Sequence, residues 1–394
     1  MILEYINING SRQKVNLNLH RKISKDWVYI NGKNKLDFIK EFLPSFANGQ
    51  KMILFDSNHK QLLKFHQDND INSFKNIDDT KAQLLFFTSG SNGFPLGAFK
   101  TKENLEEEVL VLKGLVKNRA IKRVVVSVPF VHIYGILAGL LLPFHLDDVT
   151  LIVKDDFLPY ELLREASQKN TLVVTTPVFI KALVKLGDKQ SLSSTLFISS
   201  TGPLDNENII SFEEKFKTNL MQLFGSTETG GIAYKFGASD KWTALDKVSV
   251  LQRDDKLCVS SPFLSSHILN EKISKLEKKF VTEDIIELKI DGFKLIGRSN
   301  KIIKITGKRI SAIQIESILE DIEYVEKAIV EIVYKKELLR SEQMIIRLQS
   351  KQKILKQEIK KKISENFGVL TMPFSVKYVK QIRYSSVGKK ILVE

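Results

Sequence analysis

Residues 88–97 read TSGSNGFPLG and follow directly on the apolar run LLFF at 84–87. A strand feeding a loop of hydroxyl side chains and glycines can wrap successive backbone N–H groups around an anion. The loop is not a G-x-x-x-x-G-K-[ST] phosphate loop, and Leu96 stands where a lysine would add a charge contact. Taken alone, such a Gly/Ser turn serves structure more often than chemistry. Further along lie a lone histidine, His132, between an apolar strand and an apolar helix, the acid-bearing turn FGSTETGG, and a terminal Gly388-Lys389-Lys390. A histidine so placed is ordinarily a satisfied core residue, and Lys389 is one lysine among many in the tail.

The elements that must hold these residues alternate. WVYI, KMILF, LLFF, RVVVSV, TLIV, TLVVTT, STLFISS and MQLF read as short buried strands, most of them separated by helical spacings such as ENLEEEVLVLKGL and VFIKALVKL. Alternation of this kind, with strands apolar throughout, predicts helix-covered, mostly parallel sheets in an α/β fold. After about residue 232 the pattern turns to antiparallel β-structure, with a hairpin expected at Asp291-Gly292. From residue 301 a small basic α+β unit begins, with helices over AIQIESILEDI and KILKQEIKKKISENF. The expected division is therefore 1–299 and 300–394.

With 394 residues and 43% hydrophobic side chains, the chain can bury a large core and is not dominated by disorder. A single cysteine, Cys258, excludes a disulfide framework or a Cys-rich zinc module and fits a reducing cytoplasm. The N-terminal MILEYINING has no export pattern. The uncharged stretch 124–146 is interrupted by Pro129, Gly135, Gly139 and Pro143, which favours a buried strand and helix over a membrane span. Net charge is +14, and residues 301–394 hold 20 basic against 11 acidic side chains. Such a region can attract phosphates or an acidic protein; pI alone makes no nucleic-acid site.

In order and spacing the segments resemble the adenylate-forming, AMP-binding enzymes, which include acyl- and aryl-CoA synthetases, from about residue 80 to the C-terminus. TSGSNGFPLG is similar to the family's TSG[ST]TGxPKG at eight of ten positions. VPFVHIYG (128–135) resembles its P-x-x-H-x-x-G segment, ISSTGPL (198–204) its Gly-Gly-Ala-Pro-Leu turn, and LFGSTETGG (223–231) its YGxTE segment. FVTEDIIEL (280–288), GRSNKIIKITGKRISAIQIE (297–316) and SSVGKK (385–390) are similar to its ribose, hinge and terminal-lysine motifs. The residues before the phosphate loop are fewer than the family usually has, which implies a trimmed N-terminal subdomain.

The resemblance implies a large N-terminal domain and a small mobile C-terminal one. It implies ATP-dependent activation of a small carboxylic acid as an adenylate, then thioester formation on CoA or a phosphopantetheine-bearing acyl carrier protein. Thr88, Ser89, Gly90, Ser91, Asn92 and Gly93 would hold the β- and γ-phosphates. Thr227 would contact the α-phosphate, and Glu228 would hold Mg²⁺. Phe224, with Gly225 and Ser226, would stack on adenine, Thr201-Gly202-Pro203 would cover its other face, Asp284 would accept the ribose hydroxyls, and Arg298 would lie by ribose or phosphate. His132, Gly135 and Gly230 would line the acyl pocket, where Phe130 and Tyr134 hint at a small or aromatic acid. Lys389 would neutralise charge at the reacting carboxylate and α-phosphate. Asn300 would be the hinge, and Gly307, Lys308 and Arg309 would line the pantetheine path. Leu96, Asn92 and Asn300 depart from the family pattern. They support the alternative of a catalytically degenerate nucleotide-binding partner or regulatory protein.

Overall fold

The computed structural model describes the chain except residues 31, 57–59, 75–76, 78–79, 89–95, 188, 300–301, 306–307, 335–341, 368–369, 371, 385–389 and 393–394, with backbone only at 60–61, 88, 302–305, 308–309, 334 and 342. The chain divides into two compact units, 1–250 with 259–280, and 251–258 with 281–394. The expected boundary at 299/300 falls inside the second unit.

In the first unit, the strands Asn219–Ser226, Leu196–Ser199, Thr171–Thr175, Arg123–Val126, Thr150–Val153 and Ile2–Ile6 lie side by side in that order, all parallel. Their side chains are buried on both faces, as Val124 to Val126 and Leu172 to Val174 show, which is why the sequence runs are apolar without alternation. Gly230–Phe236 and Lys241–Ala244 extend one edge antiparallel, and Arg12–Val15 the other. Two covering helices, Pro159–Ala166 and Pro177–Lys185, begin on proline, whose missing N–H is no loss at the first helical position. The helix Lys35–Ala47 presents Phe38, Phe42 and Phe46 at four-residue steps, each ring stacked on the next at 5.6 Å. The first strand, Ile2–Ile6, was not foreseen, because MILEYINING was read only for export signals.

A second sheet of this unit runs Val28–Tyr29, Met52–Leu54 and Leu84–Thr88 in parallel, then Leu96–Lys100 and the hairpin His267–Asn270/Lys272–Lys275 antiparallel. Residues 84–88 and 96–100 thus form two arms around the Ser/Gly loop, with Thr88 opposite Leu96.

In the second unit, Phe280–Lys289 pairs with Gly292–Arg298. The hairpin occurs where expected, but Lys289 faces Gly292, so Ile290 and Asp291 form its centre, and Asp291 takes the left-handed conformation (φ 58°). Helices Ala312–Glu320 and Lys356–Phe367 flank a sheet of Val325–Tyr334, Glu342–Ser350 and Phe374–Tyr378 around Ile315, Leu319, Ile346 and Ile359. Ser311 and Gln314 close a capping box on the first of these helices. No described helix is long and apolar enough to cross a membrane. The stretch 124–146 is instead a strand end followed by a helix whose hydrogen bonds widen to a π turn over Leu137–Leu141.

Candidate active site

The acid-bearing turn after Asn219–Ser226 is held atom by atom. Ser226 N–H donates to Thr229 Oγ1 (3.1 Å), Thr229 N–H returns a bond to Ser226 Oγ (3.2 Å), and the Thr229 hydroxyl donates to Gly230 O (2.8 Å). From outside, Ser265 N–H donates to Glu228 O (2.8 Å) and its hydroxyl to Thr227 O (3.4 Å). The Ser226 and Thr229 N–H groups and the Thr227, Glu228 and Gly230 carbonyls are therefore committed. Among the described residues, neither the Thr227 hydroxyl nor the Glu228 carboxylate has a hydrogen-bond partner. A fixed turn that presents one hydroxyl and one carboxylate suits an oxyanion and a hard cation. No group of three or more His, Cys, Asp or Glu that could hold a metal occurs among the described residues. A cation here would draw its other ligands from phosphate oxygens and water, as Mg²⁺ commonly does.

Beside this turn, Thr201 sits at the carboxyl end of Leu196–Ser199 with φ 79°, a conformation unusual for a β-branched residue. Ser200 Oγ ties the same turn to Leu223 O at 2.9 Å, so 200–203 and 223–226 are neighbouring segments at the ends of adjacent parallel strands. Ends of this kind are where open α/β sheets bind ligands. Phe224 is half-buried, its ring 5.5 Å from that of Trp242, and Lys235 lies over Trp242 at 4.9 Å. Trp242 and Lys235 escaped the sequence reading, because nothing in KWTALD shows that it pairs back onto Gly230–Phe236.

His132 stands half-buried at the start of the helix Ile133–Ile136. Gly135 packs so closely that an added Cβ would lie 2.0 Å from Pro129 O, and one at Gly230 would lie 2.5 Å from Glu108 Oε2. Close packing thus accounts for both glycines without a ligand. The hint drawn from Phe130 and Tyr134 does not survive. Phe130 is buried and stacked on Phe38 at 5.9 Å, and the Tyr134 hydroxyl is set on Ile198 O and Thr175 O (2.8 and 3.2 Å).

In the second unit, Asp284 and Arg298 face each other across the hairpin, with Arg298 Nε 4.0 Å from Asp284 Oδ1. The two residues expected at the ribose are therefore brought together. Ser89 to Gly93, Asn300, Gly307 and Lys389 lie outside the described residues, as do the side chains of Thr88, Lys308 and Arg309. Lys390 is described: its ammonium contacts Glu320 Oε1 (2.5 Å), Glu316 Oε2 (3.1 Å) and Ala328 O (3.0 Å).

The sequence profile of the family described as AMP-binding enzyme matches residues 33–259, more than half of the chain. The chain belongs to the AMP-binding enzyme family. Relatives include 4-coumarate–CoA ligase of Cereibacter sphaeroides, 25% identical over 244 residues that cover 61% of this chain and 54% of that protein. The putative long chain fatty acid-CoA ligase VraA of Staphylococcus aureus (strain COL) is 24% identical over 79% of this chain and 71% of its own length. The chain thus spans about half the length of the first of these relatives. Among solved structures, o-succinylbenzoate coenzyme A synthetase (MenE) from Bacillus subtilis, in complex with ATP and magnesium ion, superposes with a TM-score of 0.78 at 17% identity, covering 93% of this chain and 88% of that one. ATP-bound MatB from Rhodopseudomonas palustris gives 0.73 at 14% identity, over 98% and 93%. The fold of this AMP-binding enzyme is theirs.

Within the family, Leu96 raises the question of a substitute cation, for which Lys100 and Lys102 are the nearest candidates in sequence. Lys100 is turned to other partners, and Lys102 is a partly exposed cation paired along its helix. Lys102 lies 3.6 Å from Glu106 on its own helix. Lys100 is completely buried, and its ammonium donates to Phe263 O and, at 3.4 Å, to Glu228 O. Burial pulls the Lys100 ammonium well below its ordinary range, partly offset by the fields of Glu108 and Glu228. Burial likewise raises Glu108, against the opposing effects of Lys100 and of the Gly231 N–H it accepts. Glu108 was legible as an anomaly: it stands on the apolar stripe Leu105, Val109, Leu112 of the helix Lys102–Val116.

Proposed function

We propose that this AMP-binding enzyme activates a small carboxylic acid with ATP and then transfers the acyl or aryl group to a thiol. In the first step a carboxylate oxygen attacks the α-phosphorus, and the bond to the bridging oxygen of pyrophosphate breaks. In the second, the thiol sulfur attacks the carbonyl carbon, AMP leaves, and the thiol proton passes to solvent. The observation that carries this reading is the held turn, whose Thr227 hydroxyl and Glu228 carboxylate have no hydrogen-bond partner among the described residues, on a fold shared with ATP-bound MatB and with MenE in complex with ATP. Thr227 would donate to the α-phosphate, and Glu228 would hold Mg²⁺, which would offset phosphate charge as the bond breaks.

Residues 88–93 would cradle the outer phosphates through backbone and hydroxyl donors. Phe224 would stack on adenine opposite 201–203, and the facing Asp284 and Arg298 would take the ribose and its phosphate. His132 would line the acid pocket, with Gly135 and Gly230 shaping its walls. Lys389 would neutralise charge at the reacting centre, and rotation about Asn300 would exchange it for the 307–309 segment along a pantetheine arm. The names of the relatives favour CoA as acceptor, and the basic balance of 301–394 suits its phosphates as well as an acidic carrier protein.

The test is ATP–pyrophosphate exchange across a broad panel of small, aromatic and fatty acids, with CoA and carrier protein offered in parallel. Exchange dependent on one acid class is expected. ATP binding with no exchange for any acid would instead establish the degenerate nucleotide-binding partner that Leu96 and Asn92 support.

A further inference from the structure

Lys100 and Glu108 form a buried charged couple that the proposed chemistry does not use. Lys100 ends the strand Leu96–Lys100, one arm of the Ser/Gly loop, and Glu108 lies two turns into the helix that follows. Both are buried, at 0% and 4% exposure. Burying a lysine and a glutamate away from water is unfavourable unless the surroundings answer their charge. Here the two charges answer each other in part, and their hydrogen bonds go to backbone groups of the acid-bearing turn and the segment laid against it. Lys100 donates to Phe263 O and Glu228 O, and Glu108 Oε1 accepts Gly231 N–H at 2.7 Å.

The contacts grip both ends of residues 228–231. The grip is also steric, since a Cβ at Gly231 would lie 2.9 Å from Glu108 Oε1, and Gly230 adopts φ +69° against the same carboxylate. Phe263 lies two residues before Ser265, which bonds the backbone of Thr227 and Glu228, and Ser266 N–H donates to Phe99 O at 2.9 Å. One lysine therefore links the arm of the phosphate loop to the turn carrying the hydroxyl and carboxylate. A hydrophobic pair of similar volume would fill the space but could not hold these carbonyls and this N–H.

We propose that Lys100 and Glu108 are positioning residues that fix the 228–231 backbone relative to the 84–88/96–100 arms, so that Thr227 and Glu228 meet the nucleotide and its cation in one geometry. The proposal rests on the function given above. It is tested with Lys100→Met, Glu108→Gln and the double variant in the full chain, read for melting temperature, exchange kcat and the Mg²⁺ concentration at half-maximal rate. Lys100→Met alone leaves Glu108 without its cation and is expected to lower both melting temperature and kcat. The double variant removes both charges at little change in volume. It is expected to regain most of the melting temperature while kcat stays at least about tenfold down and the Mg²⁺ requirement at least about fivefold up. Return of kcat and Mg²⁺ requirement together with melting temperature would show a merely structural pair and overturn the proposal.

Should the double variant not fold, Glu108→Leu, which removes the acceptor for Gly231 N–H, is read alone. A raised Mg²⁺ requirement at near-native melting temperature supports the assignment, and an unchanged one overturns it. Absence of exchange in the unmodified chain would strike the proposed function instead. Mg²⁺-dependent ATP binding by calorimetry then carries the test: binding about fivefold weaker in the double variant supports the proposal, and equal binding overturns it.

Discussion

Each unit holds a lysine beside a segment expected to meet phosphate, Lys100 fully buried and Lys390 partly so, and the two are answered differently. Lys100 is enclosed by carbonyl oxygens, and burial outweighs the fields of Glu108 and Glu228, so its ammonium is held below the ordinary range. Lys390 lies between Glu316 and Glu320; despite its burial, the two carboxylates hold its ammonium above the ordinary range. Both are anchors, and in both cases the residue of chemical interest is a neighbour. The difference is in what each anchor holds: Lys100 holds a backbone turn, whereas Lys390 holds the closing strand Lys390–Leu392 against Ala312–Glu320. Proximity of a lysine to a phosphate motif is therefore a poor guide to its task, and the partners of its ammonium are a good one.

The strongest way to break this contrast is at Lys389 and Lys390. Lys389→Ala is expected to lower acid-dependent adenylation by about 10²–10³-fold with little change in melting temperature, as loss of one preorganised charge contact does. Thioester formation from supplied adenylate should be largely kept; equal loss of both half-reactions would contradict the role given to Lys389. Lys390→Ala should do the reverse in kind. It leaves Glu316 and Glu320 without their cation, at a cost of about 3 kcal/mol in denaturant unfolding. Val330 N–H and Ala328 N–H still donate to those carboxylates and limit the loss. A fully stable Lys390→Ala chain would end the reading of Lys390 as an anchor.

His66 shows burial lowering the pKa of a titratable ring. Its ring lies 4.1 Å from Phe55 and 4.5 Å from Phe87, Tyr29 contacts its Nδ1 at 3.2 Å, and burial lowers its pKa to about 4. Between about pH 6.5 and 4 the unfolded chain binds the proton and the folded chain does not, so stability falls as the solution is acidified through that window. With its partial exposure allowed for, the loss is about 1–2 kcal/mol. His66→Phe should flatten this limb of the pH–stability curve, and an unchanged slope would show that the ring is open to water.

Most of the frame was legible because its physics is local. Unalternating Val, Leu and Ile runs mean strands covered on both faces, and FGSTETGG carries its own turn. What was not legible depends on contacts between residues 64 to 163 positions apart. Lys100 in FKTKEN reads as a surface cation until Phe263 and Glu228 are seen to close on it. Tyr134 reads as a pocket residue until its hydroxyl is found on Ile198 O. Glu108 was readable in part, since an acid on an apolar helical stripe must be answered by something buried. The partner, Gly231 N–H, was not.

The finest test of the contrast is Leu96→Lys. Leu96 is partly buried opposite Thr88 at the mouth of the loop; of the lysines after it, Lys100 is committed to carbonyls and Lys102 is shared with Glu106 on its own helix. A new ammonium at 96 is therefore expected to add a contact that Lys100 does not supply. A single exposed charge contact of this kind is worth about 1 kcal/mol, or roughly a fivefold fall in the KM for ATP. The gain should appear in KM with kcat little changed, because outer-phosphate contacts bind ground and transition states alike. An unchanged KM would mean that backbone and hydroxyl donors already hold the phosphates, and that Leu96 marks no deficit in this chain.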